Sequence, residues 1–397
     1  MSNTQKKNVP ELRFPEFEGK WEEKQLGEVA KIYDGTHQTP KYTNEGIKFL
    51  SVENIKTLNS SKYISEEAFE KEFKIRPEFG DILMTRIGDI GTPNIVSSNE
   101  KFAYYVSLAL LKTKNLNSYF LKNLILSSSI QNELWRKTLH VAFPKKINKN
   151  EIGKIKINYP KKQEQQKIGQ FFSKLDRQIE LEEQKLELLL QQKKGYMQKI
   201  FSQELRFKDE NGEDYPEWEE KKMGEITTMF SGGTPQSTNT RYYKGDIPFI
   251  RSGEISKTYT ELKINEEALN NSSAKLVEVG DLLYALYGAT SGEVAISKIN
   301  GAINQAVLCI RTNESVEFLL NYLFFSKNKI LNTFIQGGQG NLSAKIIKNL
   351  IIETPTIIEQ RKIADFFCNI DNSIEIQGRK LEFLKQRKQS LLQKMFV

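Results

Sequence analysis

The chain has 397 residues, enough for two domains of ordinary size, each with its own apolar core. Its 58 Lys and Arg against 50 Asp and Glu give a net charge of +8 and a pI near 9.0, which favours a polyanionic partner, although a Lys-, Asn- and Ile-rich composition can also come from a low-GC genome. Residues 1–10 are polar, no run of 18 apolar residues occurs, and Cys309 and Cys368 sit in apolar surroundings, so the expectation is a reduced cytoplasmic protein without signal peptide, membrane span or disulfide framework.

In chain order, Glu11-Leu12-Arg13-Phe14 is followed by Trp21-Glu22-Glu23-Lys24-Gln25-Leu26-Gly27-Glu28, and both return as Glu204-Leu205-Arg206-Phe207 and Trp218-Glu219-Glu220-Lys221-Lys222-Met223-Gly224-Glu225. Between these preambles and the next repeat lie segments that match in scattered places at an offset of 200: Ile47-Lys48-Phe49-Leu50 with Ile247-Pro248-Phe249-Ile250, Ile64 to Ala68 with Ile264 to Ala268, and Gly80-Asp81-Ile82-Leu83 with Gly280-Asp281-Leu282-Leu283. Short β-branched and aromatic runs bounded by Gly, Asn and Pro predict strands, while residues 117–135 and 316–334 read as helices, so each segment is expected to be α+β.

The strongest repeat is helical. Glu164-Gln165, Lys167-Ile168 and Phe171-Phe172 return as Glu359-Gln360, Lys362-Ile363 and Phe366-Phe367, and an ungapped offset of 195 carries the match over residues 163–201 and 358–396. Phe172, Leu175, Ile179, Leu186, Leu189, Tyr196 and Ile200 fall on alternating three- and four-residue steps, as do Phe367, Ile370, Ile374, Leu381, Leu384, Leu391 and Met395, which predicts two long helices with coiled-coil seams. An antiparallel pairing with Glu182 opposite Lys388 and Lys193 opposite Gln377 would satisfy every polar seam position and put Leu186 against Leu384 and Leu189 against Leu381. A helix of roughly 38 residues spans about 57 Å and would act as a spacer as well as a core. Gly195 and Gly378, inside these helices, would cost about 1 kcal/mol each relative to Ala unless they permit close packing. Outward-facing Leu181, Leu188, Leu190, Ile376 and Phe383 form apolar rows that suit partner subunits. The expected division is residues 1–160 and 204–355 as two similar domains, and 161–203 and 356–397 as helical spacers.

The loops between matched strands differ. Gly35-Thr36-His37-Gln38-Thr39-Pro40 stands against Ser231-Gly232-Gly233-Thr234-Pro235-Gln236, the stretch from Arg86 to Thr92 against that from Leu286 to Gly292, and His140 to Lys146 against Gln336-Gly337-Gly338-Gln339-Gly340-Asn341. Any one polar, Gly-rich loop also fits a plain turn, but together they carry the side chains that read base edges and phosphates. The candidate DNA contacts are Thr36, His37, Gln38, Thr39, Arg86 and Thr92 in the first half, and Thr234, Gln236, Arg251, Tyr287, Thr290, Gln336, Gln339 and Asn341 in the second. No phosphate-binding loop, dinucleotide fingerprint, paired-cysteine zinc pattern or Asn-Pro-Pro-Tyr methyltransferase motif is present, and the histidines, His37 and His140, lie on unrelated loops, so no catalytic residue and no metal ligand are assigned.

The repeated Glu-Gln-x-Lys-Ile-x-x-Phe-Phe helix starts at Glu164 and Glu359, the Trp-Glu-Glu-Lys motifs at Trp21 and Trp218, the Gly-Asp-Ile/Leu-Leu strands at Gly80 and Gly280 and the Gly233-Thr234-Pro235 loop resemble the DNA-specificity subunits of type I restriction-modification enzymes over almost the whole chain. In the first half, His37, Gln38 and Thr39 interrupt the corresponding Gly-Thr-Pro. The resemblance implies two target-recognition domains reading a bipartite, asymmetric site on double-stranded DNA, held apart by an antiparallel coiled coil. It also implies partners: two modification subunits that use S-adenosylmethionine to methylate adenine at N6, and two restriction subunits that use ATP and Mg to translocate and cleave DNA. The subunit itself would bind no cofactor and catalyse nothing. A stand-alone two-headed DNA-binding regulator shares every DNA-binding feature and differs in needing no methyltransferase, and an enzyme using the two clefts is the remaining alternative.

Overall fold

The computed structural model describes residues 8–38, 40–334 and 341–397, which form two compact units: residues up to 184 together with 379–397, and residues 185–378. Unit 1 is built from β1 (Glu22–Gln25), α1 (Leu26–Val29), β2 (Ala30–Asp34), β3 (Ile47–Leu50), β4 (Tyr63–Ile64), α2 (Glu66–Glu72), β5 (Ile82–Ile87), β6 (Asp89–Ile95), β7 (Phe102–Tyr104), β8 (Leu108–Thr113), α3 (Ser118–Leu126), α4 (Ser128–Arg136), α5 (Lys149–Gly153), β9 (Lys156–Tyr159) and the first part of α6 (Lys162–Phe201). Its main sheet is antiparallel in the order β2-β8-β5-β6. A smaller sheet runs β4-β3-β7, and β1 pairs with β9.

The near-continuous apolar runs of β5 and β8 follow from burial on both faces. Alternate residues Ile82, Met84, Ala109 and Leu111 face a core shared with the helices, while Leu83, Leu108 and Leu110 face a second core closed by the small sheet. Unit 2 repeats the plan with β10 (Glu219–Lys222), α7 (Met223–Ile226), β11 (Thr227–Ser231), β12 (Ile247–Ile250), β13 (Lys263–Ile264), α8 (Glu266–Asn270), β14 (Lys275–Val277), β15 (Leu282–Ala285), β16 (Val294–Ile296), β17 (Gly301–Ile303), β18 (Val307–Thr312), α9 (Val316–Phe334), α10 (Ala344–Lys348), β19 (Ile351–Thr354) and the first part of α11 (Ile357–Lys394). Its sheets run β11-β18-β15-β16 and β13-β12-β17-β14. Leu282, Tyr284, Leu308 and Ile310 face its helical core, and Leu283, Ala285, Val307 and Cys309 the other. The expected α+β class, internal repeat and long helices are all present.

Within each unit the long helices run antiparallel. In unit 1, Phe172 meets Phe396 (5.8 Å between ring centres) while Asp176 binds Lys388 and Glu183 binds Lys385, each at 2.6 Å. In unit 2, Tyr196 meets Phe366 at 5.1 Å and Lys193 binds Asp371 at 2.6 Å. The polar pairing therefore differs from the expected one: Glu182 pairs with Lys380 rather than Lys388, and Lys193 with Asp371 rather than Gln377, because long cationic side chains lean toward carboxylates beside the seam. The seam also shifts by one residue at matching places. Met197 and Leu392 are buried, whereas Tyr196 is exposed and Leu391 half-buried.

The repeated Glu-Gln pair has a structural explanation. Glu164 is buried and receives two hydrogen bonds of 2.7 Å from Arg13, while Gln165 accepts from the Asn117 N–H and donates to the Pro160 carbonyl. Glu359 and Gln360 do the same with Arg206, the Ser315 N–H and the Pro355 carbonyl. Each pair fastens a helix start to its preamble and to the helix following the sheet.

One further expectation is corrected and two are sharpened. Residues 117–135 form two helices, since Ser127 adopts extended backbone at ψ 151 and starts α4 afresh. Cys368 is exposed, because it lies off the seam. A Cβ at Gly195 or Gly378 would meet nothing within 4 Å, so neither glycine serves close packing among the described residues.

Candidate nucleic-acid interface

Three loops of unit 1 meet at one end of the main sheet, and Arg86 is what gathers them. Standing at the end of β5, it is only 5 % exposed; its guanidinium pairs with Asp34 at the end of β2 and donates to the Ile147 carbonyl at 3.1 Å. Lys149 reaches the other Asp34 oxygen at 3.4 Å. The backbone reinforces the junction: Ile147 N–H donates to the Arg86 carbonyl at 3.0 Å, and Gly88 N–H, in the β5–β6 turn, donates to the Lys145 carbonyl at 2.9 Å. Two of the five N–H donors of Arg86, expected as a DNA contact, are thus engaged by a carboxylate and a carbonyl, and burial sets the guanidinium at the loop junction rather than at an exposed loop tip.

The loop after β2 is held close to β7. Gly35 permits this, because a Cβ there would lie 2.4 Å from the Tyr104 carbonyl oxygen. Thr36 N–H donates to that carbonyl at 3.1 Å and the Thr36 carbonyl accepts from Val106, which leaves Thr36 half-buried and His37 and Gln38 exposed beyond it. Thr39 lies outside the described residues. Thr92 is half-buried within β6, its N–H donating to the Thr85 hydroxyl at 2.9 Å, so it belongs to the frame rather than to a loop tip.

Unit 2 gathers the equivalent loops differently. Leu286, at 4 % exposure, replaces Arg86 and receives the Leu342 N–H at 3.1 Å on its carbonyl, as Arg86 does from Ile147. The polar link is Gln305, exposed, which accepts from the Thr234 hydroxyl at 2.5 Å. Gln236 and Asn341 are exposed, and Tyr287 and Thr290 are half-buried in the turn after β15. Gln336 and Gln339 lie outside the described residues. Arg251 sits after β12, partly exposed and bound to Glu254 at 3.0 Å and Glu261 at 2.5 Å, and those carboxylates, Glu254 foremost, raise its pKa.

Two features lie outside the candidate residues: Gln305, and the apolar tip of the His140-to-Lys146 loop that the sequence does single out. Gln305 follows Asn304 in the short turn before an apolar strand and carries no local signal. The hairpin from Leu139 to Lys146 does carry one, the apolar Val141-Ala142-Phe143-Pro144 set between His140 and Lys145-Lys146; Val141 and Phe143 are almost fully exposed. On the long helices, Leu181, Leu188, Leu190, Ile376 and Phe383 are 48–62 % exposed. Among the described residues no helix is long and apolar enough to cross a membrane, and no cluster of His, Cys, Asp and Glu could hold a metal.

Comparison with known proteins gives this arrangement a family. The type I restriction modification DNA specificity domain matches residues 18–191 and again residues 215–386. The chain is 25% identical over 411 residues to a putative type I restriction enzyme MjaX specificity subunit of Methanocaldococcus jannaschii, covering 97% of this chain and 95% of that protein. It is 27% identical over 172 residues to the EcoR124I/EcoR124II specificity subunit of Escherichia coli, covering 40% of this chain and 42% of that protein. Its fold is similar to the crystal structure of the type I restriction-modification S subunit from M. genitalium, with a TM-score of 0.64 at 16% identity over 98% of this chain and 99% of that one. Since the family matches each half separately and together most of the chain, this protein belongs to the type I restriction-modification DNA specificity domain family.

Proposed function

We propose that this DNA sequence-recognition subunit reads a bipartite, asymmetric site on double-stranded DNA, one half with each unit. The observation that carries the reading is the contrast between frame and loops. The same sheets carry the candidate loops in both units, yet among the described residues the polar junction is Arg86 with Asp34 in one and Thr234 with Gln305 in the other. Unlike loops on like frames are suited to unlike sequences. His37 and Gln38 in unit 1, and Thr234, Gln236, Tyr287, Thr290 and Asn341 in unit 2, are the side chains to which this reading assigns contact.

Catalysis in this reading belongs to partners in the cytoplasm. Two modification subunits carry S-adenosylmethionine and methylate adenine N6, and two restriction subunits carry ATP and Mg and cleave. The exposed Leu181, Leu188, Leu190, Ile376 and Phe383 are the surface proposed for the modification subunits, since apolar rows of this kind favour interfaces. The test is a methylome of the host with and without this gene. One bipartite N6-methyladenine motif should vanish on deletion; an unchanged methylome removes the reading. A chain that purifies without a large partner yet binds a specific site would instead be a stand-alone regulator.

A further inference from the structure

The hairpin between α4 and α5 puts its apolar side chains where water alone covers them. Leu139 N–H donates to the Lys146 carbonyl at 2.7 Å, and the Gly88 N–H bond to Lys145 ties the hairpin to the β5–β6 turn, so this is a formed and anchored element. At its tip Val141 is 98% exposed and Phe143 fully so. Behind the tip, the Trp135 ring lies 4.3 Å from the His140 ring, and the Lys145 ammonium stands 4.7 Å over Trp135. Neither Lys145 nor Lys146 meets a carboxylate among the described residues, whereas the nearby Arg136 and Lys137 are matched by Glu133 and Glu151.

We propose that this tip is a wedge for duplex DNA: Val141 and Phe143 press into one base step of the half-site read by unit 1 and unstack it, while Lys145 and Lys146 hold the flanking phosphates. Apolar side chains inserted at a base step between cationic anchors are an established way for proteins to kink DNA. Two observations select DNA over a protein partner. The flanking cations are unmatched, as a polyanion requires. The hairpin also stands on the Arg86 junction that positions the loop after β2, so it shares a footing with the other proposed contacts. In unit 2 the corresponding sequence, Gln336-Gly337-Gly338-Gln339-Gly340-Asn341, offers no large apolar side chain, so the wedge acts on one half-site alone. The inference rests on the DNA-reading function proposed above.

The test uses the full chain and duplexes containing the site found in the host methylome, with 2-aminopurine placed at each step of the first half-site. The unaltered protein should raise fluorescence at one step. V141A/F143A should lose that signal and bind about tenfold more weakly, and a mismatch at the same step should return its affinity to within about twofold of the unaltered protein. F143L, which keeps an apolar wedge, should retain both signal and affinity, and all variants should melt at the temperature of the parent because the tip is exposed. K145A/K146A should weaken binding and flatten its salt dependence. Unchanged fluorescence and affinity in V141A/F143A would overturn the wedge, as would loss of a co-purifying protein with DNA binding intact. If the unaltered chain does not prefer its site at all, the DNA-reading function itself fails, a result separate from either.

Discussion

Arg86 and Asp34 form an enclosed ion pair that joins the ends of two strands, the penultimate residue of β5 and the last of β2, at the point where the candidate loops of unit 1 leave the sheet. Its role follows from what each partner would lose alone. With Arg86 only 6% and Asp34 21% exposed at the side chain, removing the guanidinium leaves a half-buried carboxylate with Lys149, at 3.4 Å, as its remaining cation. R86A should therefore lower stability by about 3–5 kcal/mol and weaken binding to all DNA sequences alike, because it loosens the loops rather than deleting a base contact. Melting curves and a panel of singly substituted duplexes measure both effects. Relaxed preference at a single base pair, with melting unchanged, would return Arg86 to the list of base-reading residues.

The C-terminus completes unit 1. Phe396 lies among Trp21, Phe120 and Phe172, with ring centres 5.6–6.3 Å away, and Leu12 N–H donates to the Lys394 carbonyl at 2.8 Å. Phe201 and the Leu205-to-Lys199 hydrogen bond of 3.0 Å occupy the equivalent places in unit 2, where the connection is covalent. F396A should cost about 3–5 kcal/mol, the usual loss for a buried phenylalanine. Removal of residues 391–397 should expose residues 8–184 to limited proteolysis. Protease resistance equal to that of the full chain would show that the C-terminal segment is dispensable to the unit.

Much of the frame was legible because repetition converts weak local signals into strong ones. The matched Ile47 and Ile247 runs are paired strands, the Gly80 and Gly280 motifs begin the central strands, and the two helix starts carry identical clamps. Helix register was less legible. The choice between Tyr196 and Met197 for the seam turns on how aromatic rings pack near the helix ends, and a heptad count is blind to that. The site was legible as loops and not as roles. Arg86 and Arg251 have the side chain expected to read DNA, but each is tied to a carboxylate, Asp34 or Glu254, in a pairing the sequence reading did not include. Asp34 lies 52 residues from Arg86, a pairing that no local pattern could reveal.

Tyr284 gives unit 2 an alkaline weakness. Its ring is fully buried on β15, its hydroxyl has no hydrogen-bond partner among the described residues, and burial pushes its pKa from 10.0 up to about 12. The neighbouring strand carries Cys309, whose thiol burial also pushes up to about 12. Both groups hold their protons more tightly folded than unfolded. Stability is thus indifferent to them below their ordinary values and falls as pH rises toward 12, by about 1.4 kcal/mol per pH unit for each group in its window. Y284F should move the alkaline unfolding midpoint upward and, by deleting an unsatisfied hydroxyl, hold or raise stability at neutral pH by about 1 kcal/mol. An unmoved alkaline midpoint in circular dichroism would mean that other groups govern that transition.

Specificity should exchange by unit. Because β12, β15 and β18 of unit 2 repeat β3, β5 and β8 of unit 1 while the loops between them differ, the loops can change without disturbing the frame. Replacing residues 217–355 with the corresponding segment of another family member should alter one half of the methylated sequence and leave the other half intact. The long helices carry a separate variable. Inserting four residues after Lys193, close to one turn of helix, keeps the apolar face nearly in phase, because 3.6 residues complete a turn. That insertion should lengthen the non-specific spacer by about one to two base pairs, since each base pair adds about 3.4 Å along the duplex and the insert adds about 6 Å of helix. Inserting two residues rotates the face by about half a turn and should abolish activity instead. Methylation mapping reads all three variants. A single-unit exchange that changed both halves of the site would show that the two units do not read independently.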